Sequence, residues 1–413
     1  MTEIKNKSRK LKIAFLGVII TAVSVVVLYP LLACLVYPPE YVYRALTWGA
    51  ESVYDYQRLP GHPLRAGSNP FYFPEDLQEV RVHAAFKSGP QIDDLEGFLV
   101  DTGTQAFIVI QDDHILYEKY FNGIKRDSIV TSFSVAKSFT SALIGLAIAD
   151  GFIHSVDDPI TDYLPELISR DVRFGAITIR DLLMMSSGIH YFEDIPSLSD
   201  DGTKTYLFTD LRRLALEYTH IKEQPGRYFQ YNNYHPLLLG MILERTTGIS
   251  VSEYLEQKIW QPLGMEFDGS WSLDSEENGF EKMESGINAR AIDFAKFGRL
   301  YLHSGNWNGE QVIPAEWVLA STREDPKVDR SEYYGDLDVR EPLDGYYKYM
   351  WWGLPRRGGA YDFSALGNLG QFIYVSPQAN LIIVRNGERD GIHYNEWLAL
   401  FYHFANSINT PPT

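Results

Sequence analysis

Ser134 and Lys137 stand three residues apart in SFSVAKSFTSALIG, residues 132–145, the only S-x-x-K of the chain. On a helix, side chains three apart share a face, so the Lys137 amine can reach the Ser134 hydroxyl. A hydroxyl is a weak nucleophile until a base takes its proton. A lysine serves as that base only when neutral, which requires burial or a neighbouring cation. Val135, Phe139, Ala142, Leu143 and Leu146 surround the pair with apolar positions. The N-terminus of such a helix also points free N–H groups at the place where an oxyanion would form. The chemistry this set supports is acyl transfer through a serine ester. Taken alone, the pattern is met more readily by a serine that starts a helix and a lysine that faces solvent.

Two further stretches bear on that choice. Tyr231-Asn232-Asn233, in RYFQYNNYHPLLLG, sets a phenol and amides just before another helical pattern. Ser364-Ala365-Leu366-Gly367-Asn368 lies at the edge of a strand-rich region. The ten histidines form no H-E-x-x-H or similar metal pair, and there is no G-x-S-x-G elbow. No metal or organic cofactor is expected. His190, His235, Tyr191, Glu193 and Asp194 are candidates for a cleft edge, each also readable as a structural or surface residue. Trp351 and Trp352 read equally as packing residues or as an apolar wall.

The elements that must position these residues follow from periodicity. AFIVIQ and ILYEKYF flank Asp112-Asp113 and predict a hairpin. QFIYV and LIIVRNG flank SPQAN and predict a second. Between them SVAKSFTSALIGLAIADG, IRDLLMMSSG, NYHPLLLGMILERTTG, SVSEYLEQKIW and ARAIDFAKFGRLYLHSG read as helices, several closed by glycine. YNEWLALFYHFANSI predicts a C-terminal helix. Strands at both ends with helices between predict an α+β fold, an antiparallel sheet flanked by helices with an all-helical lobe inserted. A site is expected in the crevice between sheet and lobe.

At this point the chain resembles the serine β-lactamase and penicillin-binding protein superfamily, in its class C-like esterase and amidase branch, of the 6-aminohexanoate-dimer-hydrolase-like kind. The resemblance covers about residues 95–405. It rests on the S-x-x-K, on ITIRDLLMMSSGI, on YNN as the family's Y-x-N, on SVSEYLEQKIWQPLGM, on SGINARAIDFAKFGRLYLHSGNWNGEQVIPAEWV and on ALGNLGQFIYVSPQANLIIV, in the family's order. It implies a β-lactamase/transpeptidase-like fold, Ser134 as acylated nucleophile, Lys137 as its partner and Tyr231 as general base. It further implies that Asn233 contacts the substrate and helps hold Lys137. Gly367 leaves room for substrate, and the N–H groups of Ser134 and Asn368 form the oxyanion hole. One departure stands out. The family's third motif is usually Lys or His, Thr or Ser, then Gly, and here it is Ala365-Leu366-Gly367. The cation and hydroxyl that recognise a β-lactam or peptide carboxylate are missing, which argues against efficient β-lactamase or peptidase action. Arg356 and Arg357 are candidates for a substitute charge, or for a solvated loop.

Composition sets the remaining bounds. Of 413 residues, 45% are hydrophobic and 22% charged, a globular balance. A single cysteine excludes an internal disulfide framework. The net charge is −17, with a local +4 in residues 1–12 that leaves −21 on the rest. So acidic a body repels phosphate backbones, and nucleic acid is not an expected partner. Ile13–Tyr37 contains no charged residue and follows the basic cluster, which predicts a transmembrane anchor with the body on the extracytoplasmic side. Leu31–Cys34 resembles a lipobox, so a lipidated Cys34 is the rival reading. The organisation expected is an anchor over 1–37, a Pro/Tyr-rich connector over 38–95 without clear period, and a hydrolase domain over 96–409. The expected function is membrane-anchored hydrolysis of a small ester or amide through Ser134. The alternative is a non-catalytic or penicillin-binding envelope protein of the same fold that binds cell-wall or peptide ligands; transfer to an alcohol or amine is a third.

Overall fold

The computed structural model describes residues 12–18, 24–326, 328–335 and 342–409. The elements that matter for the site run as follows. First come α1 (Pro39–Thr47), β1 (Gly61–Leu64), α2 (Glu79–Ser88) and α3 (Leu95–Asp101). Then come β2 (Thr104–Gln111), β3 (His114–Tyr120), β4 (Val130–Thr131) and α4 (Ala136–Ala149). They are followed by α5 (Asp201–Leu207), α6 (Tyr234–Thr247), β5 (Gly269–Ser272), β6 (Ile287–Ala289) and α7 (Ala291–Leu302). The chain closes with β7 (Tyr346–Lys348), β8 (Trp351–Pro355), β9 (Tyr361–Gly367), β10 (Gln371–Ser376), β11 (Leu381–Gly387) and α8 (Tyr394–Ser407).

A seven-stranded antiparallel sheet has the order β3-β2-β11-β10-β9-β8-β7, so both chain ends build it, as the two hairpins predict. Its inner strands β2, β10 and β11 are buried on both faces, which is why QFIYV and LIIV are unbroken apolar runs rather than alternating ones. Phe372 and Tyr374 join Phe107, Trp397, Phe401 and Phe404 in a core under α2, α3 and α8. Ile373 and Ile382 face the other way, onto α7. There a side chain at Gly298 would approach both to 2.9 Å, so glycine lets the helix lie close on the sheet. Phe297 of α7 stacks on Phe139 of α4, with centroids 3.7 Å apart, and so ties the helix after Ser134 to the sheet.

A second sheet, β1-β5-β6-β4, has four strands. Its first strand, together with α1 and α2, lies in the 38–95 stretch where no period is legible. β1 carries Pro63 and pairs only with β5, an edge position where a missing N–H is tolerated. The three late strands β7–β9 are also absent from the sequence reading, because Pro355 and three glycines interrupt their pattern.

The chain divides into two compact units, one formed by residues up to Glu51 with Phe192–Thr209, the other by Ser52–Tyr191 with Asp210 onward. In the first, the buried Tyr41 of α1 donates from its hydroxyl to Leu198 O at 3.0 Å and packs on Phe208. Asp200 caps α5 by accepting from Thr203 N at 2.7 Å. The second unit holds both sheets.

The expected membrane helix over Ile13–Tyr37 is not supported as a single element. Residues 12–18 are helical, Ser24–Leu28 is a π-helical turn and Tyr29–Ala33 a short helix, while 19–23 lie outside the described residues. Among the described residues no helix is long and apolar enough to cross a membrane. Pro30 stands in the first turn of the short helix, where its missing N–H costs least.

Candidate active site

Ser134 is delivered by a bend between β4 and α4. Ser132 N donates to Ile287 O at 2.8 Å, and Ile287 N donates to Ser132 Oγ at 3.0 Å, so β6 fixes the chain just before the bend. Phe133 then takes φ +41° while buried, an uncommon conformation for a bulky residue that its surroundings must hold. Residues Phe133–Val135 form a 3-10 turn that runs into α4. Ser134 is half-buried, and Lys137 is 1% exposed. Lys137 Nζ donates to Ser134 Oγ at 2.7 Å and to the backbone carbonyl of Glu284 at 2.9 Å. The solvent-facing reading of this lysine is thereby excluded.

Tyr231 lies close by, with Lys137 Nζ 5.0 Å from its ring centroid. The ring faces Trp352 at 5.9 Å and meets Tyr347 edge-on at 6.1 Å. Tyr347 is fully buried, and burial first, then neighbouring Tyr231, holds its hydroxyl well above the usual phenol range. Asn233 is the residue before α6, and its Nδ2 donates to the Tyr191 hydroxyl at 2.8 Å. Asn232 Nδ2 donates to Ile189 O at 3.0 Å, and its Oδ1 accepts from Tyr234 N at 2.9 Å. The YNN tripeptide is thus pinned to the 185–191 turn. His235 completes that junction, 2.6 Å from Ser187 Oγ. Burial pushes its imidazole down to about 3, so it stays neutral.

Gly367 ends β9 against the Ser134 turn. A Cβ there would lie 2.4 Å from Ser132 O and 3.0 Å from Ser134 N. Only glycine lets this strand end come so close. Asn368 follows, exposed, its Oδ1 accepting from Leu369 N at 3.0 Å. The arrangement brings together a serine, a buried lysine, a phenol and a strand end beside the serine N–H. Such a set can form and break an ester.

Other sequence candidates fall elsewhere. Trp351 is fully buried against Tyr301 and Phe297, whereas Trp352, one residue on, faces Tyr231. Strand alternation separates two residues that sequence alone treats alike. Arg356 is neither a substitute cation nor part of a solvated loop. It is bound to the buried Asp362 and to Asn406, with its guanidinium over Tyr402. Tyr191 is buried, not a surface residue, while Glu193 and Asp194 are exposed. His190 N donates to His220 O at 2.8 Å, a backbone link between two segments. A cavity of about 670 Å³ lined by Arg180, Lys348, Tyr349 and Arg356 does not include Ser134. Arg180, Lys348 and Arg356 there pair with Asp157, Asp325 and Asp362, and Arg323 and Glu324 also line the cavity. Among the described residues no cluster of His, Cys, Asp and Glu could hold a metal ion. The Glu284 carbonyl is the one contact of Lys137 that residue types do not signal, since any residue supplies a backbone oxygen.

Comparison with known proteins agrees with this geometry. The Beta-lactamase family profile matches residues 93–391. A 6-aminohexanoate-dimer hydrolase of Paenarthrobacter ureafaciens is 27% identical over 307 residues, covering 71% of this chain and 75% of that protein. A solved Bacillus anthracis structure, described as a candidate 6-aminohexanoate-dimer hydrolase, superposes with a TM-score of 0.73 at 25% identity, over 89% of this chain and 95% of that one. A class C β-lactamase superposes with a TM-score of 0.58 at 15% identity, over 82% of this chain and all of its own, a likeness of fold alone.

Proposed function

The chain belongs to the Beta-lactamase family of serine hydrolases, and from that premise we propose that it cleaves an ester or amide through an acyl-enzyme on Ser134. The observation that carries this is the 2.7 Å contact between the Lys137 amine and the Ser134 hydroxyl, inside a site that buries the lysine. Lys137 takes the Ser134 proton as Oγ attacks the carbonyl carbon. The tetrahedral oxyanion is stabilised by N–H groups, those of Ser134 and Asn368. Tyr231, beside Lys137, passes the proton to the departing alcohol or amine. Water then attacks the acyl-enzyme, and the acid leaves with Ser134 restored. Asn233 holds the substrate carbonyl or amide.

The substrate lacks the carboxylate that β-lactams and D-Ala-D-Ala peptides carry. Ala365 stands where a cation would bind it, and Arg356 is engaged by Asp362. Trp352 and Tyr231 offer aromatic faces to an aliphatic chain instead. The relative named as a 6-aminohexanoate-dimer hydrolase supports a linear amide as the substrate. The N-terminal apolar run supports attachment to a membrane with the hydrolase unit outside, through an anchor or through a lipidated Cys34. The missing third-motif cation also supports a second reading, a penicillin-binding or non-catalytic ligand-binding protein of the same fold.

The test incubates the full chain with activated esters of several acyl lengths and with linear amides of ω-amino acids. Product release and protein mass are followed, with Ser134→Ala alongside. Turnover with an acyl adduct that the variant lacks supports the hydrolase. A stable adduct with penicillin and no turnover of any ester or amide supports the second reading.

A further inference from the structure

We propose that the buried ion pair between Lys282 and Glu284 is a positioning device for Lys137, an inference that rests on the reading of Lys137 as the proton acceptor of Ser134. The acceptor that holds Lys137 Nζ from the far side of Ser134 is the Glu284 carbonyl, 2.9 Å away. That carbonyl belongs to the peptide joining Glu284 to Ser285. The N–H of the same peptide donates to Lys282 O at 2.9 Å and closes a turn over Lys282–Ser285. The direction of the carbonyl is therefore set by how this turn is held.

The turn is held from both ends and from within. Trp271 Nε1 donates to Lys282 O and to Ser285 O, each at 2.9 Å. Lys282 N donates to Ser272 O at 2.9 Å, and Ser272 N donates to Gly286 O at 2.8 Å. Inside the turn, Lys282 Nζ lies 2.7 Å from Glu284 Oε1, and Ser285 Oγ donates to the same oxygen at 3.1 Å. The two charged side chains are 2% and 4% exposed.

A buried pair of this kind is a poor means of gaining stability, because desolvation offsets most of the attraction. This pair also joins residues only two apart, so it links no distant elements. What it does fix is the side chain of the residue whose carbonyl meets Lys137. With Lys282 O, Ser285 O and Gly286 O all accepting elsewhere, Glu284 O is the turn carbonyl that Lys137 receives. Loosening the Glu284 side chain lets that peptide rotate and moves Nζ relative to Ser134 Oγ. Misplacements on the order of 1 Å cost about 100-fold in rate when reacting groups must be aligned.

The experiment measures kcat and KM of the full chain on an ester that it turns over, with Glu284→Gln, Lys282→Met, Lys282→Arg and the double variant Lys282→Met/Glu284→Leu. Active protein is counted by titrating Ser134 with a fluorophosphonate, which phosphonylates the hydroxyl and releases fluoride. The expected result is a kcat lower by about 10- to 100-fold in the two charge-removing variants, with KM within about twofold. Lys282→Arg keeps the pair and is expected to hold kcat within about threefold. The double variant removes both charges, so it is expected to match the parent in thermal midpoint and still to show the low kcat. Parent-like kcat in folded Glu284→Gln or in the double variant overturns the proposal. So does a loss that disappears once rates are divided by titrated Ser134. If the single variants do not fold, the double variant decides by the same criteria. A parent chain that forms no adduct on Ser134 strikes the hydrolase reading itself, an outcome separate from a parent that acylates while the variants keep its kcat.

Discussion

Among the described residues, the side-chain base that hydrogen-bonds the Ser134 hydroxyl is Lys137, at 2.7 Å, and that fixes what its loss should do. Lys137→Met removes the proton acceptor and keeps the buried volume. It is expected to lower kcat/KM by about 1,000-fold, in the middle of the range for general-base removal. Ser134→Ala is expected to abolish the adduct altogether, which mass spectrometry of the intact chain reads directly. Gly367→Ala tests the strand end instead. Its methyl would meet Ser132 O at 2.4 Å, a backbone atom that no rotamer change can move. Acylation of Ser134 is expected to fall by more than 10-fold while KM for a small ester changes less, as a stopped-flow burst would show. An unaltered burst would mean that β9 can draw back without harm. At this scale much of the site was legible. The serine and lysine spacing, the YNN phenol and the strand-end glycine are side-chain facts. The Glu284 carbonyl was not legible, because its role is carried by backbone. Nor was the difference between Trp351 and Trp352, because only the pleat of β8 tells which one faces Tyr231.

The start of α6 depends on a buried histidine, and that makes the element sensitive to acid. His235 is held neutral by burial, with its imidazole down to about 3 against an ordinary 6.5. Between those values the unfolded chain binds a proton that the folded chain refuses, so stability falls as pH drops through the window. It is fully present above 6.5. One pKa unit is worth about 1.4 kcal/mol, so a drop from pH 7 to pH 5 is expected to cost about 2 kcal/mol through this group. Urea unfolding at the two pH values measures the loss, and His235→Gln is expected to flatten it. An unchanged pH slope in the variant would place the acid sensitivity on another group. Because the folded-state imidazole stays neutral down to about 3, activity through Tyr231 and Asn233, a few residues before His235, is expected to hold across this window for as long as the chain stays folded. The element that this histidine secures was visible as a pattern, as were both hairpins, because their apolar runs are long. The 38–95 stretch was not. β1 is short, holds Pro63 and survives as an edge strand by pairing with β5, which no local signal announces. The strands β7 to β9 were hidden for a related reason. They form a meander of consecutive hairpins, β7 with β8, β8 with β9 and β9 with β10, in which short runs broken by glycine and Pro355 carry no clear period.

On the scale of the whole chain, charge and apolar surface point in opposite directions along the sequence. The body carries −21 of the formal charge, whereas the first dozen residues carry +4. Between them lies an apolar stretch with many exposed side chains, among them Phe15 at 68%, Leu32 at 62% and Leu35 at 81%. Exposed apolar side chains in sequence are unfavourable in water and favourable in a bilayer. Acidic bodies are repelled by anionic headgroups, so the body would not draw the chain to a membrane. Attachment is therefore expected to be apolar in origin. The full chain is expected to sediment with membranes and to remain there in high salt and at alkaline pH, while a chain lacking residues 1–37 stays in the supernatant. Cys34→Ser separates the two ways of anchoring. A variant that still sediments means that the peptide itself is embedded, and one that is released means that a lipid on Cys34 holds the protein. Release of the full chain by salt alone would place the attachment in the basic cluster and would remove the case for an embedded segment.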